Sequence, residues 1–122
     1  KIYLIGGYIG SYVGPKWVDE YDPLTDTWTI KSEMPTARIG LSTSVLDGKV
    51  YAIGGSVSGH GFRGVATVEV YDPAADTWTT APDMPTARYG AYTGVVDGKI
   101  YVIGGIAKWI TSAYGIVEVY EP

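Results

Sequence analysis

The feature that most constrains this chain is that it repeats itself. Set against each other at an offset of 50, the stretches Tyr21 to Gly55 and Tyr71 to Gly105 are identical at 22 of 35 positions. The first copy reads YDPLTDTW, MPTARIG and LDGKVYAIGG, and the second reads YDPAADTW, MPTARYG and VDGKIYVIGG. Partial copies flank both. Lys1 to Gly7 (KIYLIGG) matches Lys49 to Gly55 and Lys99 to Gly105, and Val117 to Pro122 (VEVYEP) matches Val68 to Pro73. A period close to 50 residues, present about two and a half times in 122 residues, means that one unit is a supersecondary block that buries its faces against copies of itself.

Within a period the texture is that of strands. β-Branched and aromatic residues dominate, turn residues interrupt every ten or so positions, and no apolar stripe recurs at helical spacing. Each unit divides into four short strands, placed in the complete copy at about Gly40 to Leu46, Lys49 to Ile53, Thr67 to Tyr71 and Thr77 to Thr80. Asp47-Gly48 and Asp97-Gly98 suit a two-residue hairpin with positive φ. Asp72-Pro73 stops the third strand, because proline cannot donate to a ladder. Apolar groups fall on both faces of the sheet, as Val45, Val50, Ala52 and Ile53 illustrate, so each sheet must be covered on both sides. Sheets stacked as sectors around an axis satisfy that, with Tyr71 and Trp78 filling the gap between neighbours.

This pattern resembles the Kelch repeat, on the doublets Gly6-Gly7, Gly54-Gly55 and Gly104-Gly105, the tyrosines Tyr21, Tyr71 and Tyr120, and the spaced tryptophans Trp28 and Trp78. The resemblance implies an all-β fold, a β-propeller built from four-stranded antiparallel blades. Three units are expected: residues 1–34 as a blade lacking its first strand, 35–84 as a complete blade, and 85–122 as a blade lacking its last strand. Ten strands do not close a ring, which typically takes about four to eight blades. The incomplete ring is therefore expected to be part of a longer propeller, or to associate head to tail as a dimer.

Composition narrows the chemistry. Charged residues make up 18% of the chain and the net charge is -4, without a block of like charges, so a nucleic-acid partner is not expected. The longest apolar runs are too short for a membrane-spanning helix or the core of a secretory signal, so no membrane partner is expected either. With no cysteine the chain has no disulfides or thiolate ligands, which leaves its compartment open. His60, the only histidine, sits between glycines without neighbouring carboxylates, so neither a metal nor a cofactor is expected. The serines lack a nucleophile elbow, and no glycine run opens a phosphate-binding helix.

Two sets of residues are candidates for binding. Arg38 and Arg88 repeat in MPTAR-x-G at the entrance to the innermost strand, and the Kelch resemblance implies a place near one mouth of the central channel. There a pair of guanidinium groups can grip a carboxylate or phosphate. The competing reading is an arginine that satisfies backbone carbonyls between blades. The second set lies in the loops that vary while the frame repeats, Tyr8 to Lys16, Ser56 to Ala66 and Ile106 to Gly115. They carry Tyr8, Tyr12, His60, Phe62, Arg63, Trp109 and Tyr114, types that anchor interfaces, although a long loop also packs on its own side chains.

Asp19, Glu69 and Glu118, two residues before each repeated tyrosine or its equivalent, are expected to accept hydrogen bonds rather than act as an acid and base pair. Together these readings point to a non-catalytic scaffold for a protein or peptide, acidic where the arginines meet it. The alternatives are part of a Kelch-type enzyme of the sugar-isomerase kind, with its site at the propeller mouth, or a self-assembling structural block.

Overall fold

The computed structural model describes residues 1–8, 14–57, 63–108 and 113–122. Its ten strands are β1 (Ile2–Ile5), β2 (Val18–Asp22), β3 (Thr27–Ile30), β4 (Ser42–Leu46), β5 (Lys49–Ile53), β6 (Val68–Asp72), β7 (Thr77–Ala81), β8 (Tyr92–Val96), β9 (Lys99–Ile103) and β10 (Val117–Tyr120). They form three antiparallel meanders, β1-β2-β3, β4-β5-β6-β7 and β8-β9-β10. Loop candidates Tyr12, His60, Phe62 and Trp109 lie outside the described residues.

Turn chemistry sets the strand ends. Asp47 and Gly48, with φ of 49° and 75°, and Asp97 and Gly98, with 49° and 71°, make the primed hairpin turns whose twist matches the flanking strands. In the other hairpins Asp72 Oδ1 accepts from the Ala74 amide at 3.0 Å, and Asp76 takes a left-handed φ of 53°. The first strand of each unit begins later than its residue types suggest, at Ser42 rather than Gly40. Gly40 has a φ of 58°, so the chain bends there instead of extending.

The second and third sheets meet at their first strands. Thr93 Oγ1 of β8 donates to the Thr43 carbonyl of β4 at 2.9 Å, Gly90 N donates to Gly40 O at 2.8 Å, and Ser42 Oγ donates to Ala91 O. Away from that line the space between sheets is filled by alternating side chains. One core joins Val18 and Met34 to Ala52, with Tyr3, Ile5, Leu41 and Trp78 against it. A second joins Tyr51, Ile53, Val68, Val70 and Met84 to Ile100, Val102 and Tyr120. The middle sheet is thus covered on both faces by its neighbours. The outward faces of the end sheets keep apolar side chains in the open: Leu4 is 57% exposed and Trp28 59% on one, and Val117 is 57% exposed on the other.

Candidate functional site

The segment that leads into each first strand carries the repeated arginine. Met34 and Met84 anchor it by donating their amides to Lys16 O and Ala66 O, both at 2.9 Å. Arg38 then turns inward and is fully buried. Its Nη1 donates to Gly54 O at 2.7 Å and Thr67 O at 3.0 Å. Nη2 donates to Ala52 O at 3.3 Å and meets Glu69 Oε2 at 2.8 Å. Glu69 also accepts from Thr36 Oγ1 at 2.7 Å. Burial lowers the affinity of Arg38 for its proton and Glu69 opposes this, so the group stays a cation inside the fold.

Arg88 repeats the arrangement one unit on. It is also fully buried, with Nη1 on Gly104 O at 2.9 Å and Nη2 2.8 Å from Glu118 Oε1. Its guanidinium carbon lies 5.3 Å from the ring centroid of Tyr114. Both arginines therefore hold the carbonyls of a glycine-doublet turn and a carboxylate of the same unit. This geometry favours the carbonyl-satisfying role over a gripping one. The glutamate partner is what reading the residues one at a time misses. A legible signal exists: arginine and glutamate each recur once per unit in an otherwise apolar frame, and buried charges must pair.

The same arginines seat the variable loops through their backbone. A Cβ added at Gly64 would lie 2.6 Å from the Arg88 Cα, and one at Gly14 would lie 2.6 Å from the Arg38 carbonyl carbon, so only glycine lets each loop cross there. Val65 then pairs with Arg88, and Ser56 pairs with both Ile39 and Gly64. Next to them Tyr89 pairs with Ile106, and Arg63 pairs with Lys108 from the following unit. Gly64 N donates to Ala107 O at 2.9 Å. The loops after β5 and β9 are thereby laced into one irregular ribbon, with Arg63 and Lys108 exposed on it and Tyr114 half-buried beside Arg88. Tyr8, 63% exposed, stands at the start of the loop after β1. Nothing in the sequence brings Lys108 opposite Arg63, because the two loops do not repeat each other.

Three sheets packed face to face, the second and third each entered past a buried arginine, define an arc of a β-propeller. The family model of the Kelch motif matches residues 1–35 and 37–85, and the chain belongs to that family. A Kelch-like protein, terF, from Aspergillus terreus is 37% identical over 59 residues, which is 45% of this chain and 13% of that protein. The solved structure of YjhT superposes with a TM-score of 0.70 at 23% identity, over 87% of this chain and 35% of that one. The chain thus spans a small part of terF and about a third of YjhT. At that identity the second likeness shows the fold. Kelch propellers serve in general as protein-interaction scaffolds.

Proposed function

We propose that this chain is a non-catalytic Kelch scaffold that holds an acidic segment of a protein or peptide on the ribbon formed by its glycine-doublet loops. The observation that carries the reading is the Arg63 and Lys108 bridge, which sets two exposed cationic side chains from different blades side by side in a chain of net charge -4. Tyr114, beside Arg88, and Tyr8, exposed at the start of the loop after β1, supply aromatic surface on these loops. Arg38 and Arg88 act beneath this surface as positioning residues, fixing the turns from which the loops start. The test is a peptide array followed by titration of the best acidic peptide. Reversing charge with Arg63→Glu and Lys108→Glu should weaken binding at least tenfold with the melting temperature unchanged, and raised salt should do the same. Equal binding of acidic and basic peptides by the unaltered chain would refute it.

The exposed end faces belong to the same proposal. Ile2, Leu4 and Trp28 occupy the places of Val50, Ala52 and Trp78, which pack against a neighbouring sheet inside the chain. Val117 and Val119 occupy the places of Val68 and Val70, which also pack against a neighbour. Surfaces that mate internally are suited to mate again, with a second copy head to tail or with the remainder of a longer propeller. For self-association, Leu4→Lys and Val119→Lys should each dissociate the dimer seen by sedimentation, and mixing the two variants should restore one interface. A monomer at every concentration excludes the second copy.

A further inference from the structure

Arg63 and Lys108 stand closer than two cations on facing loops need to. Gly64 N donates to Ala107 O at 2.9 Å, so the bond joins the residues beside the bridge and leaves Arg63 and Lys108 as a non-hydrogen-bonded pair. In such a pair the side chains start about 4.5–5.5 Å apart, on one face of the ribbon. That face is the outer one. A Cβ on Gly64 would run into the Arg88 Cα at 2.6 Å, so strand alternation turns its neighbour Arg63 away from the fold, and both cations are exposed.

Like charges set directly opposite each other destabilise a strand pair. The repeat does not require them here. In the preceding unit the sequence has Val13 at the place of Arg63, counted back from the third strand, and Ser58 at the place of Lys108, counted on from the glycine doublet. The repulsion is therefore particular to this one joint, and an anion held between the two heads removes it.

Spacing and charge decide which anion fits. Side chains on one face of an extended peptide stand about 6.4–6.8 Å apart, wider than the roots of the two cations, so a pair of carboxylates does not match them. A single carboxylate leaves one cation uncompensated. A phosphomonoester carries a charge of about −1.5 to −2 at neutral pH on three oxygens, enough for a forked contact from the Arg63 guanidinium and a point contact from the Lys108 ammonium at once. We propose that this bridge is a clamp for one phosphorylated side chain of the partner polypeptide. The inference rests on the acidic-partner reading of the same ribbon and narrows it from a run of acidic residues to one focal group. A polypeptide that carries the phosphate also covers the loop surface around it, which free phosphate does not.

The probes are fluorescently labelled peptide libraries with the same randomised flanks and a fixed centre of phosphoserine, Glu-Ala-Glu or serine, titrated onto the full chain by anisotropy at constant ionic strength. The phosphoserine library should bind roughly tenfold tighter than the Glu-Ala-Glu library, although the two centres carry nearly the same charge. Arg63→Lys, which keeps the charge and loses the fork, and Lys108→Gln should each remove most of that preference with the melting temperature unchanged. Binding of Glu-Ala-Glu as tight as that of phosphoserine overturns the clamp and leaves the acidic scaffold standing. No gain of either acidic centre over serine overturns both. A phosphoserine preference that survives the two substitutions also overturns the clamp, because the phosphate is then held elsewhere. Inorganic phosphate that competes at the concentration of the phosphopeptide itself overturns a polypeptide as the source of the anion.

Discussion

The two interfaces between adjacent sheets use the same stacked tyrosines and differ in nearly everything around them. Between the first and second sheets Tyr3 meets Tyr71 edge to face at 5.7 Å, and between the second and third Tyr51 meets Tyr120 in the same way at 6.3 Å. Around the first pair runs a polar network. Tyr3 donates to Glu20 at 2.6 Å, Tyr71 donates to Asp76 at 2.7 Å, and Ser32 gives its amide to Asp76 and takes the Trp78 indole N–H on its carbonyl at 2.9 Å. Around the second pair Val70 stands where Glu20 stands and Pro82 where Ser32 stands. There Ile100 and Val102 are fully buried. The lesson is that edge-to-face rings over aliphatic side chains suffice to join two blades, and the polar network is an addition that makes one joint sensitive to acid.

The largest expected effect concerns what the interfaces share. Arg38→Ala leaves the carboxylate of Glu69, 3% exposed, without its cation, and should lower unfolding free energy by about 3–5 kcal/mol in urea titration. Arg88→Ala should lower it less, because the Glu118 side chain is 15% exposed and water can solvate it. Equal losses would mean that the carbonyl contacts, and not the ion pair, set the effect.

Next comes the apolar joint. Ile100→Ala, at a fully buried position, should cost about 2–4 kcal/mol by removing packed volume. Val18→Ala, at a fully buried position of the polar joint, removes fewer atoms and should cost about 1–2 kcal/mol.

Titration separates the joints more finely. The hydroxyl of Tyr3 holds the Glu20 carboxyl below its ordinary value, and the Ser32 amide does the same for Asp76. Carboxyls lowered by folding stabilise above the unfolded value and lose that contribution as pH falls through the folded one, so the polar joint should loosen below about pH 4. Burial, with Glu20 beside it, raises Tyr3 to about 12. The unfolded phenol ionises first, so stability should fall from about pH 10 upward until Tyr3 itself ionises. Melting curves across pH should show a shallower acid limb for Glu20→Val, which copies the Val70 environment. An unchanged limb would remove Glu20 from the account.

The smallest effect is the sharpest comparison. Tyr71→Phe should cost about 1 kcal/mol by breaking the bond to Asp76, while Tyr120→Phe should be neutral or slightly stabilising in the chain alone. Equal losses at the two positions would show that the Tyr120 hydroxyl is satisfied after all.

Much of the frame was legible because the repeat reports it several times over. The Asp-Gly pairs placed the hairpins, and the alternation around Val50 and Ile53 announced sheets covered on both faces. The loops were not legible in that way. Arg63 and Lys108 are 45 positions apart in segments that share no pattern, so their pairing depends on how far one blade is rotated against the next. The arginines fell between these cases. Their repetition marked them as important, but only burial and the distances to Glu69 and Glu118 distinguish a group facing a ligand from one facing the backbone.

By itself the amino-acid order determined the unit: strand lengths, turns and the two apolar faces follow from local backbone preferences and side-chain alternation, which act within a few residues. What the tertiary structure decided is which units touch, which hydroxyl lacks an acceptor and which cations share a surface. Those depend on separations across the gap between sheets, where an ångström decides whether a hydrogen bond exists.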